Sequence, residues 1–198
     1  MKILKSYCKT ELSVKGSKFI SELFPCENQQ EAKNIIKSQK SKYQDATHVV
    51  HAFILGLSKE ILGSSDDGEP SGTAGRPALE VLKGSFSTNM VLTVTRYFGG
   101  TLLGTGGLVK AYTDSAKSVL QKAEEESLLE EYIAKTDFSF CTDYSFHKTA
   151  KHILESFSVF DIKEEFSTDI KISGKIITTE AEKLKTELKN LSNGKINL

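Results

Sequence analysis

From Tyr7 to Val14 and again from Lys18 to Phe24, apolar and polar residues partly alternate with period two on either side of Gly16, which predicts a hairpin turning at that glycine. The rhythm then changes. After Asn28, a residue suited to capping a helix, Ala32, Ile35, Ile36 and Gln39 fall on one helical face and Lys33, Lys37 and Lys40 on another, so a helix is expected through Lys40. Thr47 to Leu55, rich in β-branched and apolar residues, reads as a strand. Gly56 to Arg76 has the composition of a long loop, and long loops inside compact domains are usually functional. Pro77 suits the first turn of a short helix from Ala78 to Lys83, where its missing N–H has no intrahelical partner anyway. Met90 to Tyr97 is apolar enough for a central strand. A second glycine-rich connection, Gly99 to Gly107, leads into a helix from Leu108 to Ala123 with Leu108, Ala111, Tyr112, Ala116, Val119 and Leu120 facing inward.

The acidic run Glu124-Glu125-Glu126 marks the approach to a domain boundary, set between residues 130 and 131. Beyond it the pattern predicts strand Tyr132 to Cys141, helix Tyr144 to Phe157, strands Asp161 to Ser167 and Ile170 to Thr179, helix Ala181 to Leu191 and a terminal strand Lys195 to Leu198. That order, βαββαβ, is the ferredoxin-like pattern. Thr179 and Glu182 have capping-box spacing at the start of the second helix, Gly194 gives its stop signal, and Gly174 marks a possible bulge. The fold class is α+β, with domains at 1–130 and 131–198.

Composition narrows the function classes. No window of the 198 residues reaches the ~18 consecutive apolar positions of a membrane span, so no membrane is expected and the cytoplasm is the expected location. Cys8, Cys26 and Cys141 are odd in number, far apart and form no CxxC pair, which argues against a disulfide framework or a zinc site. Lys plus Arg (26) balance Asp plus Glu (26), so any binding of RNA must come from a local patch.

The densest chemistry lies between Ser64 and Lys110. Asp66, Asp67, Glu69, Ser71, Thr73 and Arg76 occupy one stretch; Arg96, Gly99, Gly100, Gly104, Gly106, Gly107 and Lys110 occupy the other. Arg76 and Arg96 are the chain's two arginines, so the planar fork that grips carboxylate or phosphate in two places appears only here. Glycines feeding a helix N-terminus can present N–H groups to an anion, or can simply serve tight turns and close packing. The run Gly104-Thr105-Gly106-Gly107 lacks the lysine of a Walker loop and the spacing of a dinucleotide fingerprint. The three acids could hold a hard cation, but their commoner role is to bind nearby backbone N–H groups or an arginine. No metal or other cofactor is expected, and no catalytic residue is assigned. His48 and His51 point to opposite faces of their strand and cannot jointly bind a metal; His147 and His152 also diverge. No nucleophile-elbow pattern surrounds Ser71 or Thr73. Lys33, Lys37 and Lys40, with Lys110 and Lys117, could touch a phosphate backbone or could simply be solvated.

The strings SDDGEPSGTAGRP and RYFGGTLLGTGGLVKAY closely resemble the IMPACT family, including its bacterial YigZ-like members. The likeness extends upstream through Lys15-Gly16-Ser17-Lys18-Phe19-Ile20 and Thr47-His48 and covers nearly the whole chain. The resemblance implies a first domain like the second domain of the small-subunit ribosomal protein five, also seen in domain four of elongation factor G, and a tail like that factor's domain five. It further implies a translation-linked regulator whose partner is RNA, the ribosome or a translation factor. The alternative is an enzyme or sensor acting on a small phosphorylated ligand at Asp66, Arg76 and Arg96.

Overall fold

A computed structural model describes residues 1–196. After a short strand β1 (Lys2–Leu4), the alternating segments form β2 (Cys8–Val14) and β3 (Ser17–Pro25), paired antiparallel. Lys15 and Gly16 join them with φ of 47° and 82°, the double left-handed conformation that matches a hairpin's twist. Helix α1 (Gln29–Lys42) starts where the Asn28 side chain accepts the Glu31 N–H at 2.9 Å, and it buries Ala32 and Gln39. The next elements are β4 (His48–Leu55), β5 (Ile61–Ser65), α2 (Gly75–Gly84), β6 (Ser87–Thr88), β7 (Met90–Tyr97), α3 (Gly104–Glu125) and β8 (Leu129–Glu131).

Five strands make one antiparallel sheet in the order β2-β3-β7-β4-β5, with the apolar β7 at its centre. Alternation divides its side chains between two faces. On one, Phe19, Leu23, Val50, Ile54, Leu92 and Val94 pack in one core with residues of α2 and α3 such as Leu82, Leu108, Tyr112 and Val119. On the other, α1 covers Cys26, Leu55 and Val91 with Ala32. Both faces are therefore closed, which explains why β7 is buried from Met90 to Arg96. A small sheet, β6-β1-β8, gathers three short strands that the pattern along the chain did not predict. Nor did it predict β5, which falls inside the expected loop. Its Ile-Leu-Gly-Ser-Ser sequence has little strand preference, and it forms as an edge strand paired with β4.

The chain divides after Tyr132. The second unit contains β9 (Lys135–Thr142), α4 (His147–Glu155), β10 (Val159–Phe166), β11 (Ile170–Ile177) and, beyond a 3-10 turn at Thr178–Glu180, α5 (Ala181–Leu191). Its antiparallel sheet runs β10-β11-β9, and Phe138, Phe140, Ile172 and Ile176 share a core with Ile153, Leu154, Leu184 and Leu188. The expected capping box at Thr179 does not form. The 3-10 turn places Glu180 at the helix start, and its carboxylate instead accepts the Ser158 N–H at 2.7 Å. The bulge lies in β10 between Phe160 and Lys163, opposite Gly174, where an added Cβ would come 2.9 Å from the Phe160 carbonyl oxygen. The expected last strand begins with Lys195 and Ile196, which are irregular; residues 197 and 198 lie outside the described residues. No helix among the described residues is long and apolar enough to cross a membrane.

Candidate functional site

The acids after β5 are committed to holding the turn that precedes α2. Asp66 Oδ1 accepts the N–H groups of Ala74 at 3.0 Å and Gly75 at 2.8 Å, while Oδ2 accepts that of Gly72 at 2.8 Å. Burial works to raise the pKa of this carboxyl, but the amides of Gly72, Gly75 and Ala74 outweigh it and hold the group below its ordinary range. The positive end of α2 is thus occupied by an anion from the chain itself. Thr73 donates its hydroxyl to the Pro70 carbonyl at 2.7 Å. Gly75 lies hard against β5, since a Cβ there would fall 2.6 Å from the Ser65 carbonyl oxygen. Asp67 accepts the Val49 N–H at 2.7 Å and pairs with Lys40, and its carbonyl meets His48 Nδ1 at 2.8 Å. Here too burial opposes ionisation, and Lys40 and the Val49 amide overcome it.

Glu69 turns inward. Its Oε1 accepts from Arg96 Nη1 and from the Tyr112 hydroxyl, each at 2.7 Å, and its Oε2 lies 3.7 Å from His48 Nε2. Arg96 is 5% exposed, with its guanidinium 5.6 Å from the ring centres of both Phe19 and Phe98 and its Nη2 3.4 Å from Ser17 Oγ. Burial, followed by the bond to Glu69, pushes the Tyr112 phenol far above its ordinary value, so it stays a proton donor. This network joins β4, β7, α3 and the turn before α2 below the surface. Arg96 therefore serves as the countercharge of a buried carboxylate and cannot grip an external anion. Sequence reading placed Tyr112 in the core and missed its hydroxyl, although an inward-facing tyrosine must find a partner for that group.

The second glycine-rich segment splits into two jobs. Gly99 is a packing glycine: a Cβ there would fall 1.8 Å from the Gly16 carbonyl carbon, so the β2–β3 turn and the segment after β7 meet backbone to backbone. Ser17 Oγ accepts the Gly99 N–H at 3.2 Å across that meeting. Gly104, Gly106 and Gly107, expected in the connection before the helix, form the first turn of α3. No side chain caps this turn and no acid lies in it. Gly104, with φ of 71°, and Gly106 have nothing within 4 Å of an added Cβ.

Internal structure accounts for Asp66, Asp67, Glu69, Thr73, Arg96 and Gly99. The remaining candidates, Ser71, Arg76, Gly100, Gly104, Gly106 and Lys110, are exposed, while Gly107 is half-buried against Leu103. Arg76 lies on a groove of about 790 Å³ between α2 and α3, where Gly72 and Arg76 line one side and Val109, Thr113 and Lys117 the other. Neither Arg76 nor Lys117 forms an ion pair among the described residues, whereas Lys110 is paired with Asp114 at 3.1 Å. Thr105 and Gly106 precede Val109 by four and three positions, so the uncapped turn of α3 continues the helix face that lines the groove. The two arginines, grouped by the alternative reading at one ligand site with Asp66, are thus separated by burial: Arg76 is exposed and Arg96 buried.

Residues 15–120 match the family described as the Impact N-terminal domain. An IMPACT family member of Haemophilus influenzae is 34% identical, over 97% of this chain and 92% of its own. The IMPACT family member YigZ of Escherichia coli is 39% identical over 63% of each chain. The crystal structure of a hypothetical protein superimposes with a TM-score of 0.70 at 28% identity, covering 99% of this chain and 94% of that one.

Proposed function

Because this chain belongs to the IMPACT family, we propose that it is a translation-linked regulatory protein that engages RNA, the ribosome or a translation factor, without catalysis, through the groove between α2 and α3. The observation that carries this reading is the division of labour within the motifs. The acids and Arg96 are spent on internal bonds, whereas Arg76, Lys117 and the uncapped start of α3 are left facing outward along one groove. Cations without acid partners, beside a helix start that carries partial positive charge, suit a phosphate backbone. A reaction centre would instead need a carboxylate or imidazole free to exchange a proton at an open site. The one carboxylate that lines this groove, Glu80, is paired with Lys83 at 3.0 Å, and Asp66 and Glu69 of the motif already hold several donors each.

The test is Arg76→Ala combined with Lys117→Ala, both exposed positions, in cosedimentation with ribosomes and in RNA binding across a salt series. Each lost contact to a single-stranded phosphate should flatten the log–log salt slope by about 0.7, so the pair should flatten it by about 1.4. Unchanged affinity and slope at low salt would reject the assignment. Arg96→Ala is no substitute, since it would strand Glu69 without its countercharge at a cost of about 3–5 kcal/mol and lose binding through misfolding.

A further inference from the structure

On the opposite face of the large sheet, α1 leaves a second cleft beside β4, of about 720 Å³, within the size range of small-molecule sites. We propose that this cleft binds a nucleoside phosphate, with its base against Phe53 and His51 and its phosphate at Lys33 and Lys37. This does not rest on the groove assigned above.

Charge supplies the first argument. Lys33 and Lys37 lie one helical turn apart on the cleft side of α1, exposed, and neither meets an acid among the described residues. Lys40, the next on that side, is taken by Asp67. Two unpaired ammonium groups on the rim call for an anion.

The floor calls for a flat ring. Ile36 and Phe53 line it, and the Phe53 ring leans across β5, with its Cζ only 2.2 Å from where a Gly63 Cβ would stand. Any larger residue at 63 would push this ring out of place. An aromatic side chain at the base of a cationic cleft is a stacking platform open to any planar heterocycle.

His51 separates a nucleobase from a plain phenyl ring. Its Nδ1 is buried and has no hydrogen-bond partner. Burial and, secondarily, Lys40 lower its basicity against the opposing pull of Asp67, so the neutral ring offers one donor and one acceptor. His51 also belongs to a polar row across the sheet, in register with Ser65 of β5 on one side and on the other with Thr93 of β7, which is itself opposite Glu22 of β3. The Thr93 hydroxyl and Glu22 Oε2 are likewise buried and unpartnered. Nδ1 is sealed from the cleft, so a bound heterocycle meets the other ring nitrogen, Nε2, which has no hydrogen-bond partner among the described residues; a ring carrying heteroatoms at its edge can bond to it, and a hydrocarbon ring cannot.

The experiment follows the backbone amide resonances of the full chain while AMP, GMP, CMP and UMP are titrated in turn, with adenosine and ribose 5-phosphate as controls. Shifts should cluster at Lys33, Lys37, His51 and Phe53 for at least one mononucleotide, and each control should bind at least ~10-fold more weakly. Lys33→Ala with Lys37→Ala, at exposed positions, should weaken the mononucleotide by ~10-fold or more while leaving RNA binding that depends on Arg76 and Lys117 intact. Two results would overturn the proposal: no shift at millimolar mononucleotide, or an equal response to ribose 5-phosphate or adenosine.

Discussion

Asp66 shows how a side chain that looks reactive in a string of letters becomes structural in space. Within Ser64-Ser65-Asp66-Asp67-Gly68-Glu69 nothing distinguishes the three acids, yet one closes a helix start, one ties a strand to α1 and one is buried against an arginine. The part legible in the sequence was that acids in a glycine-rich turn bind local N–H groups; which acid met which donor depended on residues 8 or 9 positions away, as with Ala74 and Gly75. The depressed pKa of Asp66 has a measurable consequence. A carboxyl lowered in the folded state contributes stability that is complete above its unfolded value of about 3.9 and is lost as pH falls through the lower folded value. Asp66→Asn should therefore cost about 1–2 kcal/mol in urea unfolding at pH 7, and the gap to the unmutated chain should narrow below about pH 4. A gap of equal size at pH 7 and pH 3 would show that the charge has no part in holding the turn.

At the scale of elements, the glycines that read alike in sequence divide by what surrounds them. Gly75 and Gly99 meet backbone that leaves no room for a methyl group, whereas Gly106 stands in the first turn of α3 with open space around it. Helix propensity makes Gly106→Ala stabilising by about 0.5–1 kcal/mol, because alanine has less backbone freedom to lose. If a partner's phosphate approaches that turn closely, the same change should raise Tm yet weaken ribosome cosedimentation; a rise in Tm with undiminished binding would place the contact elsewhere. The sequence pattern located the long elements, including α1, β7 and α5, because each carries enough periodic positions to be distinctive. It missed β1, β5, β6 and β8, of five residues or fewer, whose strand character comes from their neighbours in the sheet.

Across the whole molecule, the first unit has two cores of its own, one on each face of the five-stranded sheet, within residues 1–132. That size is ordinary for an autonomous domain. A chain cut after Tyr132 should unfold in one cooperative transition by circular dichroism and keep the binding that depends on Arg76 and Lys117; a truncated chain without a transition would mean that residues from 133 onward are needed for its stability. The amino-acid order by itself determined the α+β class and the family and pointed to the stretch between Ser64 and Lys110, because periodic apolar spacing and long specific strings are properties of neighbours along the chain. Which of those candidates remain available to a partner was decided only by tertiary structure. Arg76 and Arg96 carry the same guanidinium, but Glu69 and Tyr112 come together around one of them, and a charge neutralised inside a packed interior no longer acts on the solvent side.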